Sequence, residues 1–131
     1  MTAKTLFTAK THTTGGPDGA GHSADGLLDV QLPEPHPAAE RMFAIAWSAC
    51  FIGAIGVAAE RKKITLPGTP AVDATIDLLM EHNAFFLRAR LDVSLPGLDR
   101  EVARDLVEAA DGICPYSKAT RGNIEVELNV V

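Results

Sequence analysis

Two cysteines are the residues whose type and setting suggest chemistry in this chain of 131 residues. Cys50 lies in WSACFIGAIG, residues 47–56, and Cys114 opens CPYSKATRGN, residues 114–123. A thiolate attacks peroxides and disulfides, and its supply is governed by the thiol pKa. Pro115 is a residue type that opens a helical turn, which makes Cys114 a candidate N-cap where free N–H groups favour the thiolate. Each cysteine also has a packing reading, because free cysteine is among the most buried residue types. A separation of 64 positions in a reducing compartment argues against a permanent staple, so any pairing is expected to be transient and chemical. Glu40 is the only acidic residue between Glu34 and Glu60. Along a continuous helix its ten-residue separation from Cys50 is about 15 Å, so contact requires a break or bend before Trp47.

Other chemistries find little purchase. His12, His22, His36 and His82 show no metal-ligand spacing with one another or with the cysteines, so no metal site is expected. The GGPDGAG stretch, residues 15–21, lacks the order of a dinucleotide fingerprint, and there is no G-x-S-x-G elbow for a serine nucleophile. A net charge of −5 with no basic stripe argues against a nucleic acid partner.

The elements that must position the thiols follow from patterning. With 47% hydrophobic and 22% charged residues the chain has a globular composition, and its length suits a single domain, residues 1–131. The segments 3–14 and 23–32 read as a β-hairpin joined by the Gly-rich GGPDGAG. The link LPEPHP, residues 32–37, reads as extended because three prolines interrupt any regular element. From Ala38 to Lys63 a helix is expected, apolar nearly all round, with no charge from Met42 to Ala59. That run only just reaches membrane-spanning length, and the rest of the chain patterns as half-buried strands, so it reads as a core helix. Val72, Ala74, Ile76, Leu78 and Met80 alternate as a strand, Glu81-His82-Asn83 turns, and AFFLRARLDVSL returns. Residues 98–112 have helical spacing, with Asp99 as N-cap and Gly112 as stop. The NIEVELNVV segment ends the chain as a strand. The expected order is β-β-α-β-β-α-β, with room for an extra strand early on, an α+β fold of antiparallel pairs. The N-terminal residues lack the apolar core of a secretory signal, so a cytoplasmic location is expected.

Trp47-Ser-Ala-Cys50-Phe51 within a long apolar helix, followed by CPYSKATRGN before a terminal strand, resembles the organic hydroperoxide resistance branch of the OsmC/Ohr family. TTGGPDG, SADGLLDV and the segment 40–44 extend the resemblance over nearly the whole chain. The resemblance implies an intertwined homodimer with two long central helices per chain, wrapped by antiparallel sheets from both subunits. It implies that Cys50 is the peroxidatic nucleophile, oxidised by an organic hydroperoxide to a sulfenic acid, and that Cys114 resolves this acid to a disulfide. A dithiol reductant such as a lipoylated protein would then restore the thiols, with no bound cofactor and no membrane partner. Glu40 matches the family glutamate that orients the site, and Trp47 and Phe51 would supply apolar pocket walls.

One position departs from the family pattern. Where the family has Thr-Gly-Gly-Arg-Asp-Gly, this chain has Thr14-Gly15-Gly16-Pro17-Asp18-Gly19. Pro17 carries no charge, and an apolar setting raises a thiol pKa, at a cost of about 1.4 kcal/mol per unit. Arg41 is the candidate replacement for the missing thiolate-stabilising cation, while Arg121 reads as structural. The competing reading is a diverged, non-catalytic family member that binds an apolar ligand or senses oxidation.

Overall fold

A computed structural model of the chain describes residues 3–15, 19–32 and 35–131, with side chains from Ala38 onward in the last stretch. Gly16, Pro17, Asp18, Pro33 and Glu34 lie outside the described residues, and with them the position where the family arginine was expected. Two compact units divide the chain, residues 1–39 and 40–131.

In the first unit, β1 (Thr11–Thr14), β2 (Gly19–Ser23) and β3 (Asp29–Leu32) form an antiparallel sheet in that order. This corrects the two-strand hairpin. Gly19-Ala20-Gly21 belongs to β2, paired with Leu32, Gln31 and Val30. A further turn joins β2 to β3, where Leu27 N–H donates to Asp25 Oδ1 at 3.0 Å and Leu28 N–H donates to Ser23 Oγ at 3.0 Å. Asp and Ser side chains that bond nearby main chain compete with strand pairing, and here they win over the β-propensity of the flanks.

Helix α1 (Pro35–Arg61) begins three residues earlier than expected. Pro35 and Pro37 sit in its first turn, where the missing N–H groups have no intrahelical partner in any case. The helix continues unbroken through Cys50. In the second unit, Trp47, Phe51, Ala54, Ile55, Ala58 and Ala59 form its buried stripe, spaced at three and four residues as one helix face requires. The opposite flank remains apolar but exposed, with Met42, Ile45 and Val57 on it. By length and composition alone the helix could cross a membrane, yet its buried stripe belongs to one core cluster with β5 and α2.

Strands β4 (Ala71–Glu81), β5 (Ala84–Ser94) and β6 (Glu125–Val130) form the second sheet with β5 in the centre. His82 and Asn83 have φ of 52° and 63°, the signature of a two-residue hairpin turn whose twist suits the flanking strands. Register places Val72–Val93–Val130, Ala74–Leu91–Leu128 and Ile76–Ala89–Val126 as cross-strand rows on the core face. The other face carries Asp77, Arg88, Arg90, Asp92 and Glu127 in exposed ion pairs, the shortest being Arg88–Asp77 at 2.7 Å. Each buried aliphatic contributes about 1.5–3 kcal/mol against at most about 1 kcal/mol for an exposed pair, so the core face dominates the sheet's stability.

The pairing of β6 with β5 is parallel, which corrects the all-antiparallel expectation. A parallel neighbour requires a crossover, and α2 (Arg100–Ile113) with α3 (Pro115–Thr120) supplies it. Of the two helices expected at the centre, α1 is dominant at 27 residues; α2 has 14 and buries Ala103, Leu106, Val107 and Ala110. Asp99 is the N-cap of α2 as expected, but Gly112 lies within the helix and Cys114 is its C-cap.

The turn into α2 gives a stability test. In Leu95-Pro96-Gly97-Leu98, Leu98 N–H donates to Leu95 O at 3.4 Å, and Gly97 has φ +85°. A Cβ there would lie 2.8 Å from Pro67 Cγ. Gly97→Ala is expected to lower the unfolding free energy by about 1–2 kcal/mol in urea titration, and an unchanged midpoint would contradict this reading of the turn.

Candidate active site

Cys114 owes its place to the proline that follows it. The residue before proline is driven out of the α region, and Cys114 adopts φ −62°, ψ 119° between two helices. Its N–H donates to Ala110 O at 2.8 Å, closing α2, while its carbonyl accepts from Lys118 N–H at 3.1 Å, opening α3. Both main-chain groups are therefore committed, and the fully buried side chain has a fixed direction. That direction is toward α1, where the two Sγ atoms lie 3.3 Å apart. They are free thiols rather than a disulfide.

The rest of CPYSKATRGN holds this junction together. Arg121 donates to the Asp111 carbonyl at 2.8 Å and to Asp111 Oδ2 at 3.0 Å, tying the end of α3 back to α2. Thr120 Oγ1 donates to Tyr116 O at 3.0 Å, and Gly122 leaves the turn with φ +79°. Arg121 is engaged with Asp111 in this way.

Burial is the main influence on Cys50 and pushes its thiol pKa up; the nearby main-chain N–H of Tyr116 pulls it back, and the neighbouring Cys114 thiol pushes it up again. The Tyr116 N–H is an influence on Cys50 that sequence reasoning missed. Pro115 marked the start of a helical turn, but only the packing of α3 against α1 shows which free N–H faces the thiol.

The remaining site candidates are dispersed within one chain. Since α1 does not break before Trp47, Glu40 stays about 15 Å from Cys50 along the axis. Arg41 is exposed, about 14 Å up the axis and roughly half a turn around the helix. Neither reaches Cys50 of its own chain. Phe51 is a fully buried core residue. Trp47 is equally buried, with its indole N–H donating to Ser117 Oγ at 3.2 Å. It lines a cleft of about 260 Å³ together with Ser117, Arg121 and Ile124. A more apolar cleft of about 440 Å³ opens along α1 at Ala44, Ile45, Ser48, Ala49 and Ile52, beside the turn that carries Cys50.

Comparison with known proteins agrees with this geometry. The family described as OsmC-like protein matches residues 32–129. An organic hydroperoxide resistance protein of Xanthomonas axonopodis pv. citri is 36% identical, the match covering 97% of this chain and 96% of the relative. The chain belongs to the OsmC/Ohr family, in its organic hydroperoxide resistance branch. Among solved structures of this branch, the organic hydroperoxide resistance protein OhrB of Bacillus subtilis is 37% identical, with a TM-score of 0.85 over 97% of this chain and all of that one. A protein of the same description from Elizabethkingia anophelis is 37% identical, with a TM-score of 0.88 over 98% of each chain. This OsmC/Ohr chain therefore has the α+β fold of its family, with two sheets and one dominant helix.

The Cys50 environment predicts a pH effect. Replacing Cys114 by Ala removes a neighbour that raises the Cys50 pKa, so the thiolate persists to lower pH. The pH–rate profile for Cys50 alkylation by iodoacetamide in Cys114→Ala is expected to move to lower pH than in wild type. A shift to higher pH would contradict the assignment.

Proposed function

We propose that this protein is a thiol-dependent organic hydroperoxide reductase in which Cys50 is the peroxidatic and Cys114 the resolving cysteine. The observation that carries the reading is the pair of reduced sulfurs 3.3 Å apart, one partly exposed on α1 and the other buried at the α2–α3 junction. The Cys50 thiolate attacks the terminal hydroperoxide oxygen; the O–O bond breaks, the alkoxide takes a proton and leaves as alcohol, and Cys50 becomes a sulfenic acid. Cys114 thiolate then attacks Cys50 Sγ, the S–O bond breaks, and hydroxide leaves as water once protonated. The net change converts one hydroperoxide and two thiols into alcohol, water and a disulfide. A dithiol of the lipoyl type returns the disulfide to thiols by exchange. The apolar walls along α1, with Trp47 and Phe51 behind them, favour bulky organic peroxides over hydrogen peroxide.

The working unit in this reading is a homodimer with intertwined chains. Support comes from the apolar flank of α1 and from the β4–β5 hairpin tip, where Met80 and Phe85 are 63% and 71% exposed; exposed apolar surface of this extent marks an association face. Glu40 and Arg41 then act across the interface between two copies, since neither reaches Cys50 within its own chain. Residues 1–131 are read as one functional domain because the family match, residues 32–129, crosses the boundary between the two compact units. A cytoplasmic location fits two thiols that must return to the reduced state in every cycle.

One observation favours the alternative of a non-catalytic apolar-ligand binder: burial raises the Cys50 pKa in a chain with Pro17 at the arginine position. Turnover decides between them. With cumene hydroperoxide and dihydrolipoamide, wild type is expected to turn over, and Cys50→Ser to lose about a thousandfold or more. No turnover by wild type would sink the reductase reading. In the same protein Arg41→Ala is expected to raise the midpoint of Cys50 alkylation; an unchanged midpoint removes Arg41 from the site.

A further inference from the structure

Two side-chain contacts join α1 to the segment that caps and forms α3. Cys50 faces Cys114; three residues earlier on α1, the Trp47 indole N–H donates at 3.2 Å to Ser117 Oγ, three residues beyond Cys114. Three residues are close to one helical turn, so each segment presents both contacts on the same face. The hydrogen bond is closed to water, with Trp47 0% and Ser117 4% exposed. One contact is a pivot, whereas two contacts a turn apart set both register and angle.

We infer that the Trp47–Ser117 hydrogen bond positions the resolving cysteine, holding α3 so that Cys114 Sγ stays within attack range of Cys50 Sγ. The inference rests on the cysteine roles proposed above. Three features of α3 require such a tie. It has six residues, and Ser117 is its buried residue; a helix this short has no stability of its own in water. The Arg121–Asp111 contacts bind its far end to α2, leaving the approach to α1 to the Trp47–Ser117 bond. Finally, closing the sulfurs from 3.3 Å to a disulfide length of about 2.05 Å needs only a small side-chain adjustment, provided α3 does not drift.

In the resolving step the Cys114 sulfur lone pair forms the S–S bond while the Cys50 S–O bond breaks, hydroxide departing and taking up a proton. That displacement depends on the approach of one sulfur to the other, so a loosened α3 slows it. The first step, peroxide attack at Cys50, does not involve Cys114. Trp47 and Ser117 are thus positioning residues, and their effect should fall on one step rather than both.

The protein in its native assembly allows the test. Ser117→Ala removes the acceptor. In this variant the Cys50 sulfenic acid, trapped with dimedone after rapid mixing with cumene hydroperoxide, should survive about tenfold longer than in wild type. Oxidation of Cys50 in a Cys114→Ser background should change by less than about threefold when Ser117→Ala is added. A second readout uses no peroxide: the equilibrium of the Cys50–Cys114 disulfide with a dithiothreitol redox buffer. Both Ser117→Ala and Trp47→Phe, which keeps an aromatic ring but loses the donor, should shift it about tenfold toward the thiols. Combining them should do no more than the stronger single change, because both remove the same bond. An unchanged disulfide equilibrium in both variants would overturn the inference, as would equal slowing of both chemical steps. If wild type failed to consume hydroperoxide, the proposed function would fall while the redox-buffer measurement still decided the positioning role.

Discussion

Desolvation of Cys50 is the constraint around which the site is organised. Helix α1 can pack against β5 and α2 only by being apolar along that flank, and the same apolarity removes water from the thiol it carries. A partly buried thiol resists ionisation, yet peroxide chemistry needs the thiolate. Among the described residues the counterweight is one main-chain N–H, that of Tyr116, and burial remains the largest influence. In the proposed function the apolar housing thus favours greasy peroxides and opposes the nucleophile at once. A fold that places charge or further donors beside Cys50 by assembling two copies would ease this opposition without adding a polar group to the core of either.

The same economy governs Cys114. One local rule, that a residue before proline leaves the helix, ends α2, starts α3 and turns a fully buried thiol toward α1. The parallel β5–β6 pairing follows from the same stretch, since α2 and α3 are the crossover that a parallel neighbour needs. Ion pairs on the sheet's outer face contribute little by comparison. The cross-strand rows from Val72–Val93–Val130 to Ile76–Ala89–Val126 hold the platform on which both cysteine-bearing segments rest.

Much of this was legible in the residues. The long apolar helix, the β4–β5 hairpin with its His82-Asn83 turn, the amphipathic α2 and Cys114 as the cap before Pro115 all follow from periodicity and turn chemistry. The juxtaposition of the cysteines was implied by family resemblance, not by spacing, because 64 intervening residues carry no local signal of proximity. Three features escaped for physical reasons. Glycines in β2 read as a loop because their strand state is stabilised by pairing rather than propensity. The parallel direction of β6 depends on a long crossover that no local pattern records. The Tyr116 N–H is a main-chain group, identical in every non-proline residue, and only packing selects it.

The central claim is that Cys50 and Cys114 act on each other as nucleophile and resolver. Its most direct test is a single turnover without reductant: the reduced protein is mixed with one equivalent of cumene hydroperoxide per chain and analysed by intact mass and peptide mapping. The account predicts the loss of two hydrogen masses and a Cys50–Cys114 cross-linked peptide within one chain, absent when either cysteine is replaced by Ser. Recovery of both cysteines as free thiols, with the hydroperoxide intact, would contradict it.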